Sequence, residues 1–219
     1  MKTVLLSTAY LPPVQYFSYI ASAKQVLIEQ YETYPKQTYR NRCEIMTANG
    51  KFSLTIPVVK TFGNHTKTKD IGIANYQNWQ IVHWRTIESA YANSPFFLYY
   101  KDQLEPFFKG KYQNLLHYNL ELLKVLLDIL AIDKQVNLTS SYQQNVSGVL
   151  DFRESLTPKK PFTDFAFKPY YQVFEDKFGF VPGLSVLDLV LNMGTESTEI
   201  LLEMNSLNHD EKTTLDTQS

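Results

Sequence analysis

The sequence predicts a single α/β domain with a βαβ-like N-terminal half that carries a β-hairpin and a helical C-terminal half. Residues 3–8 and 26–28 are β-prone runs on either side of a segment with helical periodicity, as in a βαβ unit. An Asn-Gly pair at residues 49–50 separates two further β-prone runs, which is typical of a tight hairpin. After residue 78, apolar residues recur mostly at helical spacing.

The first elements are bounded by turn-forming residues. A strand over residues 3–8 stops before Leu11-Pro12-Pro13, and the spacing of apolar and aromatic residues predicts a helix over 14–23. Because βαβ units bind ligands at the carboxyl ends of their strands, we expect a site near residues 8–10 and 29–34.

The hairpin is predicted from residues 43–47 and 52–58, because the Asn-Gly pair between them supplies the positive φ angles of a tight primed turn. The segment that follows, residues 61–70, has no periodicity and is expected to be an exposed loop.

Caps and periodicity define the C-terminal half. Asn78 and Ser185 are expected to cap helices, and residues 136–139 are a candidate strand. The predicted helices are residues 79–92, 96–104, 112–132 and 170–178, a segment that begins after Ser185 and ends near Gly194, and residues 197–204. No repeat or linker divides the chain, so we expect one domain over residues 1–204 and a polar, disordered tail over 205–219.

Composition restricts the class of protein and its partners. With 21 Lys and Arg against 22 Asp and Glu, the net charge of −1 offers no broad basic surface, so nucleic acid is not an expected partner. A single cysteine, Cys43, excludes an intrachain disulfide and a cysteine-based zinc site. No apolar run approaches the roughly 18 residues of a membrane span, and the first apolar stretch is too short for a signal peptide, so we expect a cytoplasmic protein.

A short basic and aromatic segment, residues 34–42, is the strongest candidate site. Its Arg40 and Arg42 offer planar forks for phosphate or carboxylate, Lys36 a point charge and Asn41 a bridging amide. If the segment is extended, Arg40 and Arg42 share a face and bind one anion together. The alternative is a salt-bridged surface strip, or an Arg42 that ties a loop to backbone carbonyls.

His83 and Tyr10 are two further candidates for chemistry. His83 lies on the helical stripe of Trp79 and Ile87, where a histidine is either an acid or base in a pocket or a core residue, and Glu88 lies on a different face. Tyr10, at the end of the first strand, either stacks on a sugar or base or forms a rigid corner. No other histidine is at a metal-ligand spacing from His83, so no metal site is expected.

Four more charged residues, Asp151, Arg153, Asp164 and Asp188, have no role that the sequence assigns. Asp188 stands early in a predicted helix, where the helix dipole favours a carboxylate. A P-loop, a Gly-rich dinucleotide fingerprint and a Ser-centred elbow are missing from the sequence, which disfavours the common NTPase, dehydrogenase and hydrolase families.

Several motifs, taken together, resemble the WbqC-like protein family over roughly residues 4–200. They are Ala9-Tyr10-Leu11-Pro12-Pro13 with Tyr16-Phe17, Tyr34-x-Lys36, Asn41-Arg42, Asn49-Gly50 with Leu54-Thr55-Ile56-Pro57-Val58, Trp79 with His83, Ile87-Glu88-Ser89-Ala90-Tyr91, and Pro95-Phe96-Phe97. Relatives often have Gln-Pro-Asn-Tyr-Leu-Pro-Trp at the first motif. They also often have two aspartates after the second strand, where this chain has Gln30 and Tyr31 between Glu29 and Glu32.

The resemblance implies a role in bacterial surface-glycan or cell-envelope metabolism, because the namesake of this largely uncharacterised family is associated with surface-polysaccharide gene clusters. We therefore expect an enzyme, with a transferase favoured, whose donor is a small anion such as a nucleotide sugar or an acyl or aminoacyl compound. In this hypothesis the charge is held by Lys36, Arg40 and Arg42. Asn41 and Tyr10 orient the substrate, and the acid or base is His83.

The alternative is a non-catalytic binding or scaffold protein whose tyrosine-rich surface contacts a partner protein. The tyrosines of that surface are Tyr31, Tyr34, Tyr39, Tyr99 and Tyr100. The sequence specifies neither a cofactor nor an oligomeric state.

Overall fold

The computed structural model describes residues 2–159 and 165–205. Its strands are β1 (Thr3–Ser7), β2 (Gln25–Glu29), β3 (Arg42–Thr47), β4 (Gly50–Thr55), β5 (Val58–Lys60), β6 (Ile71–Ile73), β7 (Val136–Leu138) and β8 (Val149–Asp151). Its helices are α1 (Val14–Ser22), α2 (Trp79–Tyr91), α3 (Phe97–Leu104), α4 (Leu115–Ile129), α5 (Glu175–Phe178) and α6 (Val186–Met193), and residues 197–205 are also helical.

A four-stranded parallel sheet in the order β7-β2-β1-β8 forms the centre of the fold. The chain passes from β1 through α1 to β2 and later to β7 on one side, and β8 pairs with the other side of β1. The predicted α/β class and βαβ start are thereby confirmed. The strand order reverses between β1 and β8, and open parallel sheets bind ligands outside the carboxyl ends of their strands at such a point.

The beginning of α1 is covered by the C-terminal half of the chain. The Val14 N–H donates to the carbonyl of Leu184 (3.0 Å), and the Val186 N–H donates to the carbonyl of Pro12 (2.8 Å). The Tyr16 N–H is bonded as well, to the carbonyl of Pro13. Amides at this place bind phosphate in nucleotide-binding folds, and here two of them are already occupied.

The predicted hairpin is confirmed as the antiparallel pair of β3 and β4. The predicted primed turn is wrong, because Gly50 has a positive φ of 108° but the loop residues Ala48 and Asn49 do not. The predicted second strand is too long, since it divides at Pro57 and continues as β5, which pairs with β6. The expectation of an exposed loop over residues 61–70 is wrong in part. Its Thr66 and Thr68 are buried, because the loop runs along residues 30–34 and bonds to their backbone.

Helix α2 forms as predicted, and the stripe of Trp79, His83 and Ile87 is buried. Val82 is 57% exposed, whereas Trp84 is buried. Glu88 lies three residues after Arg85, a spacing at which the two side chains can pair. It instead accepts a hydrogen bond from Lys101 Nζ of α3 (2.9 Å). Asn78 makes no side-chain cap.

The remaining helices follow the sequence more closely. The α4 and α6 helices form, and the Ser185 hydroxyl caps α6 by accepting from the Leu187 N–H (3.3 Å). The predicted helix over 170–178 is reduced to α5, and β8 was not expected as a strand. The tail at 206–219 and Asp164 lie outside the described residues, so the disordered tail stays a prediction. No helix within the described ranges is both long and apolar enough to cross a membrane.

Candidate functional site

Charged side chains and one serine hydroxyl converge at the carboxyl edge of the parallel sheet. They come from the ends of β1, β2 and β8 and from the turn that precedes β3. The residues are Ser7, Glu29, Glu32, Arg40, Asp151 and Arg153. We call this group the edge network.

One half of the edge network is a buried fork between Arg40 and Glu32. Arg40 Nε donates to Oε1 of Glu32 (2.7 Å) and Nη2 donates to Oε2 (2.6 Å), and both residues are buried. The Ser7 Oγ, at the end of β1, accepts a further hydrogen bond from Arg40 Nη2. The two planar groups therefore neutralise each other and fix the loop after β2 to the end of β1.

The other half surrounds Arg153, which follows β8. Its Nη1 donates to Oε2 of Glu29 (3.2 Å), and Nη2 donates to Oδ2 of Asp151 (2.5 Å). Its Nε also donates to Asp151 Oδ1 (3.0 Å), and the carbonyls of Gln143 and Gln144 accept two more hydrogen bonds from its Nη atoms. Burial raises the pKa of Asp151, but hydrogen bonds from Arg153 and its charge outweigh this and hold the pKa below its ordinary value. Asp151 is thus ionised at neutral pH.

A pocket of about 450 Å³ opens onto the edge network. It is lined by Glu32, Tyr142, Gln144, Asn145, Asp151, Arg153, Glu154 and Ser155. The ring of Tyr142 lies 5.2 Å from the Arg153 guanidinium carbon and is 49% exposed. Pockets of this size hold small molecules, and carboxylate, amide and hydroxyl groups around a half-exposed aromatic ring suit a ligand rich in hydroxyl or amino groups.

Comparison with known proteins assigns the family. The model of the WbqC-like protein family matches residues 8–159, which is more than half of the chain. The chain belongs to the WbqC-like protein family. The "Uncharacterized protein Rv1507c" of Mycobacterium tuberculosis is 26% identical to it over 228 residues, covering 91% of this chain and 97% of that protein. No solved structure matches the chain.

In this WbqC-like protein, the predicted anion-binding segment is divided between two environments. Residues 36–41 form bends and turns, with Gln37 at a positive φ of 58°, so they are not extended. Arg40 points inward to the edge network, whereas Arg42 lies on β3, where its Nε donates to Thr55 Oγ1 (3.3 Å). The expectation that the two arginines share a face and bind one anion is therefore wrong. Lys36 is exposed and lies in the bend before them.

Asn41 has a backbone partner. Its Nδ2 donates to the carbonyl of Ile56 (2.8 Å), and its own carbonyl accepts from the Ile56 N–H (2.8 Å). The side chain is buried. Asn41 therefore pins the two ends of the hairpin together at the place where β4 stops.

Tyr10 and His83 lie together in the core. Tyr10 is fully buried and its hydroxyl is 2.9 Å from His83 Nδ1, and His83 is only 4% exposed, with Trp79 packed edge-on against it. Burial lowers the pKa of His83 to about 4, so the imidazole is neutral at physiological pH. It lines neither the pocket nor the edge network, and the candidate site of this WbqC-like protein does not include it.

The edge network contains residues to which sequence reasoning gave no role. Glu29 and Glu32 fall within the predicted ligand-binding end of β2, and their position beside Gln30 and Tyr31 was the available signal. Nothing local indicates that Arg153 meets Glu29, because the two residues are 124 positions apart. Within residues 2–159 and 165–205, no three His, Cys, Asp or Glu side chains converge as a metal site requires.

Proposed function

We propose that this WbqC-like protein is a cytoplasmic enzyme of bacterial surface-glycan or cell-envelope metabolism that transfers a group from an anionic donor. The nucleotide-sugar and the acyl or aminoacyl donors both remain within the proposal. One observation carries it: two buried arginine–carboxylate clusters border a pocket of about 450 Å³ at the point where the strand order reverses.

The energetic argument is that such clusters are a poor way to stabilise a fold. Desolvating Arg40, Glu32, Arg153 and Glu29 costs several kcal/mol per ion in order-of-magnitude terms, and well-packed apolar residues give equal or greater stability. Charged groups held rigidly beside a pocket are instead what substrate orientation requires. The position of these clusters at the pocket therefore supports a catalytic role.

The pocket supports distinct roles for its residues. In this proposal the Asp151 carboxylate, ionised and fixed by Arg153, accepts a hydrogen bond from the hydroxyl or amino group that receives the transferred group. The Tyr142 ring packs against the apolar side of the ligand, and the amides of Gln144 and Asn145 contact further hydroxyl groups. His83 and Arg42 have no contact with the substrate.

The alternative of a scaffold with a tyrosine-rich surface has less support. Tyr34, Tyr39 and Tyr100 are buried, so three of the five tyrosines expected on that surface are in the core. Tyr99 is exposed on α3 and Tyr31 is half-buried beside the edge network.

A thermal-shift screen tests the proposal with nucleotide sugars, acyl-CoAs and aminoacyl phosphates on the wild type, Tyr142→Ala and Arg42→Ala. A donor at about 100 times its dissociation constant stabilises the fold by about 2.7 kcal/mol. We expect the shift in the wild type and in Arg42→Ala, and a smaller shift in Tyr142→Ala. If no donor gives a shift, the enzyme proposal fails and the scaffold alternative gains. If Arg42→Ala alone loses the shift, the site is on the hairpin instead.

A further inference from the structure

Two lysines and a tyrosine form a basic ridge at the same edge of the sheet as the pocket. These residues are Tyr31, Lys67 and Lys69, and we refer to them as the lysine ridge. We propose that the lysine ridge binds the diphosphate group of the donor. This inference rests on the proposed function, and it moves the anion-binding role away from Lys36 and Arg42.

The backbone gives the ridge its shape. Residues 66–69 run beside residues 30–34, with the Thr68 N–H donating to the carbonyl of Glu32 (3.0 Å) and the Lys69 N–H to that of Gln30 (3.0 Å). The Thr68 side chain is buried and its hydroxyl donates to Oε1 of Glu32 (3.4 Å). The residues on either side of Thr68 therefore face outward, and both their ammonium groups meet one aromatic ring.

The distances confirm this arrangement. Lys67 Nζ lies 5.5 Å and Lys69 Nζ 5.7 Å from the centroid of the Tyr31 ring. A third ammonium, that of Lys60, lies 5.2 Å from the centroid of the neighbouring Tyr34 ring. Contact with the faces of aromatic rings holds lysine ammonium groups in place without neutralising their charge.

The ridge is joined to the pocket through one carboxylate. The Tyr31 N–H donates to Oε1 of Glu29 (2.7 Å), while Oε2 of Glu29 accepts from Arg153, a pocket residue. The ridge and the pocket are therefore neighbours on either side of the buried Glu29.

The carboxylates nearest the ridge have partners of their own. Glu32 is paired with Arg40, and Arg153 is shared between Glu29 and Asp151, so the edge network keeps one negative charge. Lys69 pairs with Asp70 (3.1 Å), and both side chains are about one-third exposed, so the pair is weak enough for a phosphate to compete. Within the part of the chain that the structure describes, Lys67 makes no ion pair. The ridge therefore presents two ammonium groups, of which that of Lys69 is paired with the Asp70 carboxylate.

Nucleotide sugars and acyl-CoAs both contain a nucleotide, and both carry a diphosphate group. The diphosphate is therefore the group that these two donor classes have in common. Lysine ammonium groups bind phosphate as point charges. The pocket beside the ridge is lined by carboxylates, amides and Arg153 and suits the neutral, hydroxyl-rich or acyl part of the donor. The separation of charge orients the donor with its diphosphate on the ridge and its transferred group in the pocket.

Calorimetric titration tests the inference with inorganic pyrophosphate, UDP-glucose and acetyl-CoA as separate probes. The proteins are the wild type, Lys67→Ala/Lys69→Ala, and the matched control Lys51→Ala/Lys124→Ala, which removes two exposed lysines elsewhere. We expect the ridge variant to bind pyrophosphate at least about tenfold more weakly than the control, with a smaller dependence on salt. Equal affinities in the two variants, or no binding by the wild type at low salt, would overturn the inference.

The two donor probes separate this inference from the function on which it rests. Tighter binding of UDP-glucose or of acetyl-CoA identifies the source of the diphosphate. If a donor binds equally to the ridge variant and the control, the ridge is excluded and the enzyme proposal stands. If pyrophosphate binding depends on the ridge but neither donor binds more tightly than pyrophosphate, the ridge stands and the donor proposal fails.

Discussion

The carboxyl edge of the sheet and the first turn of α6 both bury carboxylates, but they satisfy them with different partners. At the edge, Glu32 and Glu29 pair with the guanidinium groups of Arg40 and Arg153. In α6, Asp188 is 0% exposed and has only neutral partners. These are the hydroxyls of Tyr91 (3.1 Å) and Tyr170 (2.9 Å) and the amide of Gln172 (2.8 Å).

This difference in partners distinguishes the candidate site at the sheet edge from a purely structural contact around Asp188. The edge carboxylates have charged guanidinium partners, and the edge network borders a pocket. Burial raises the pKa of Asp188 to about 6, even though its three hydrogen bonds lower it. The Tyr91 hydroxyl also accepts a hydrogen bond from the Met46 N–H (3.3 Å). We call Asp188 and its three partners the Asp188 cluster. Through it α2, the hairpin and the segment before α5 are all connected to α6.

The largest expected effect comes from breaking a charged pair. Arg40→Ala leaves Glu32 buried without its partner, and we expect the free energy of unfolding to fall by about 3–5 kcal/mol. Urea denaturation monitored by circular dichroism measures this loss.

The double variant Arg40→Met/Glu32→Leu is the matched control. Since it removes both charges and keeps the volume, we expect the free energy of unfolding to return to about the wild-type value or above, while donor binding is lost. If the double variant is as unstable as Arg40→Ala, or binds donor normally, the edge network is structural in the same sense as the Asp188 cluster.

The next effect concerns pH and the Asp188 cluster. The folded-state pKa of about 6 lies above the ordinary 3.8, so the folded protein binds this proton more tightly than the unfolded chain does. The stabilising contribution is complete below about pH 4 and is lost as the pH rises through about 6, a change of about 3 kcal/mol.

Asp188→Asn removes this titration. The free energy of unfolding of the wild type minus that of Asp188→Asn, measured by urea denaturation between about pH 4 and pH 7, is expected to fall as the pH rises. A flat difference would show that Asp188 keeps its ordinary pKa in the folded protein.

The smallest expected effect comes from the Ser185 cap, and it tests whether the first turn of α6 is independent of donor binding at the edge network. Ser185→Ala removes the cap of α6 next to Asp188, so we expect a loss of about 1 kcal/mol in the free energy of unfolding. Donor affinity is expected to stay at the wild-type value, because the cap has no contact with the pocket. Weaker binding of donor by folded Ser185→Ala, measured by calorimetry, would contradict the separation of the two regions.

The parts of the fold that are local in sequence could be predicted. The β1-α1-β2 unit follows from periodicity and Pro12-Pro13, the hairpin from Asn49-Gly50, and the start of α6 from Ser185. Strand β8 has three residues and no alternation, and it is a strand only because β1 lies beside it. A pairing between such distant segments leaves no local pattern in the sequence.

The location of the candidate site was easier to predict than its residues, and ligand binding there stays a prediction. The ends of β1 and β2 were expected to bind ligand, and the edge network lies there. The orientation of Arg40 depends on the turn that begins at Gln37. The prediction assumed an extended segment with side chains on alternate faces, and this assumption does not hold in a turn. His83 has the helical spacing of a core residue and of a pocket residue alike, and only the packing of Tyr10 and Trp79 around it separates them.

The pairing of β8 with β1 also sets when the protein acquires its site during synthesis. The Ser7 hydroxyl donates to the carbonyl of Arg153, which lies 146 residues later in the chain. The Val14 N–H at the start of α1 donates to the carbonyl of Leu184, which is also synthesised much later. A ribosome releases the N-terminal residues first, so β1 is made with one edge unpaired and α1 with its first turn uncovered. Such an edge favours association with other chains until β8 arrives. A nascent chain that stalls before residue 149 therefore lacks the Arg153 half of the edge network and exposes a strand edge that chaperones or proteases can bind.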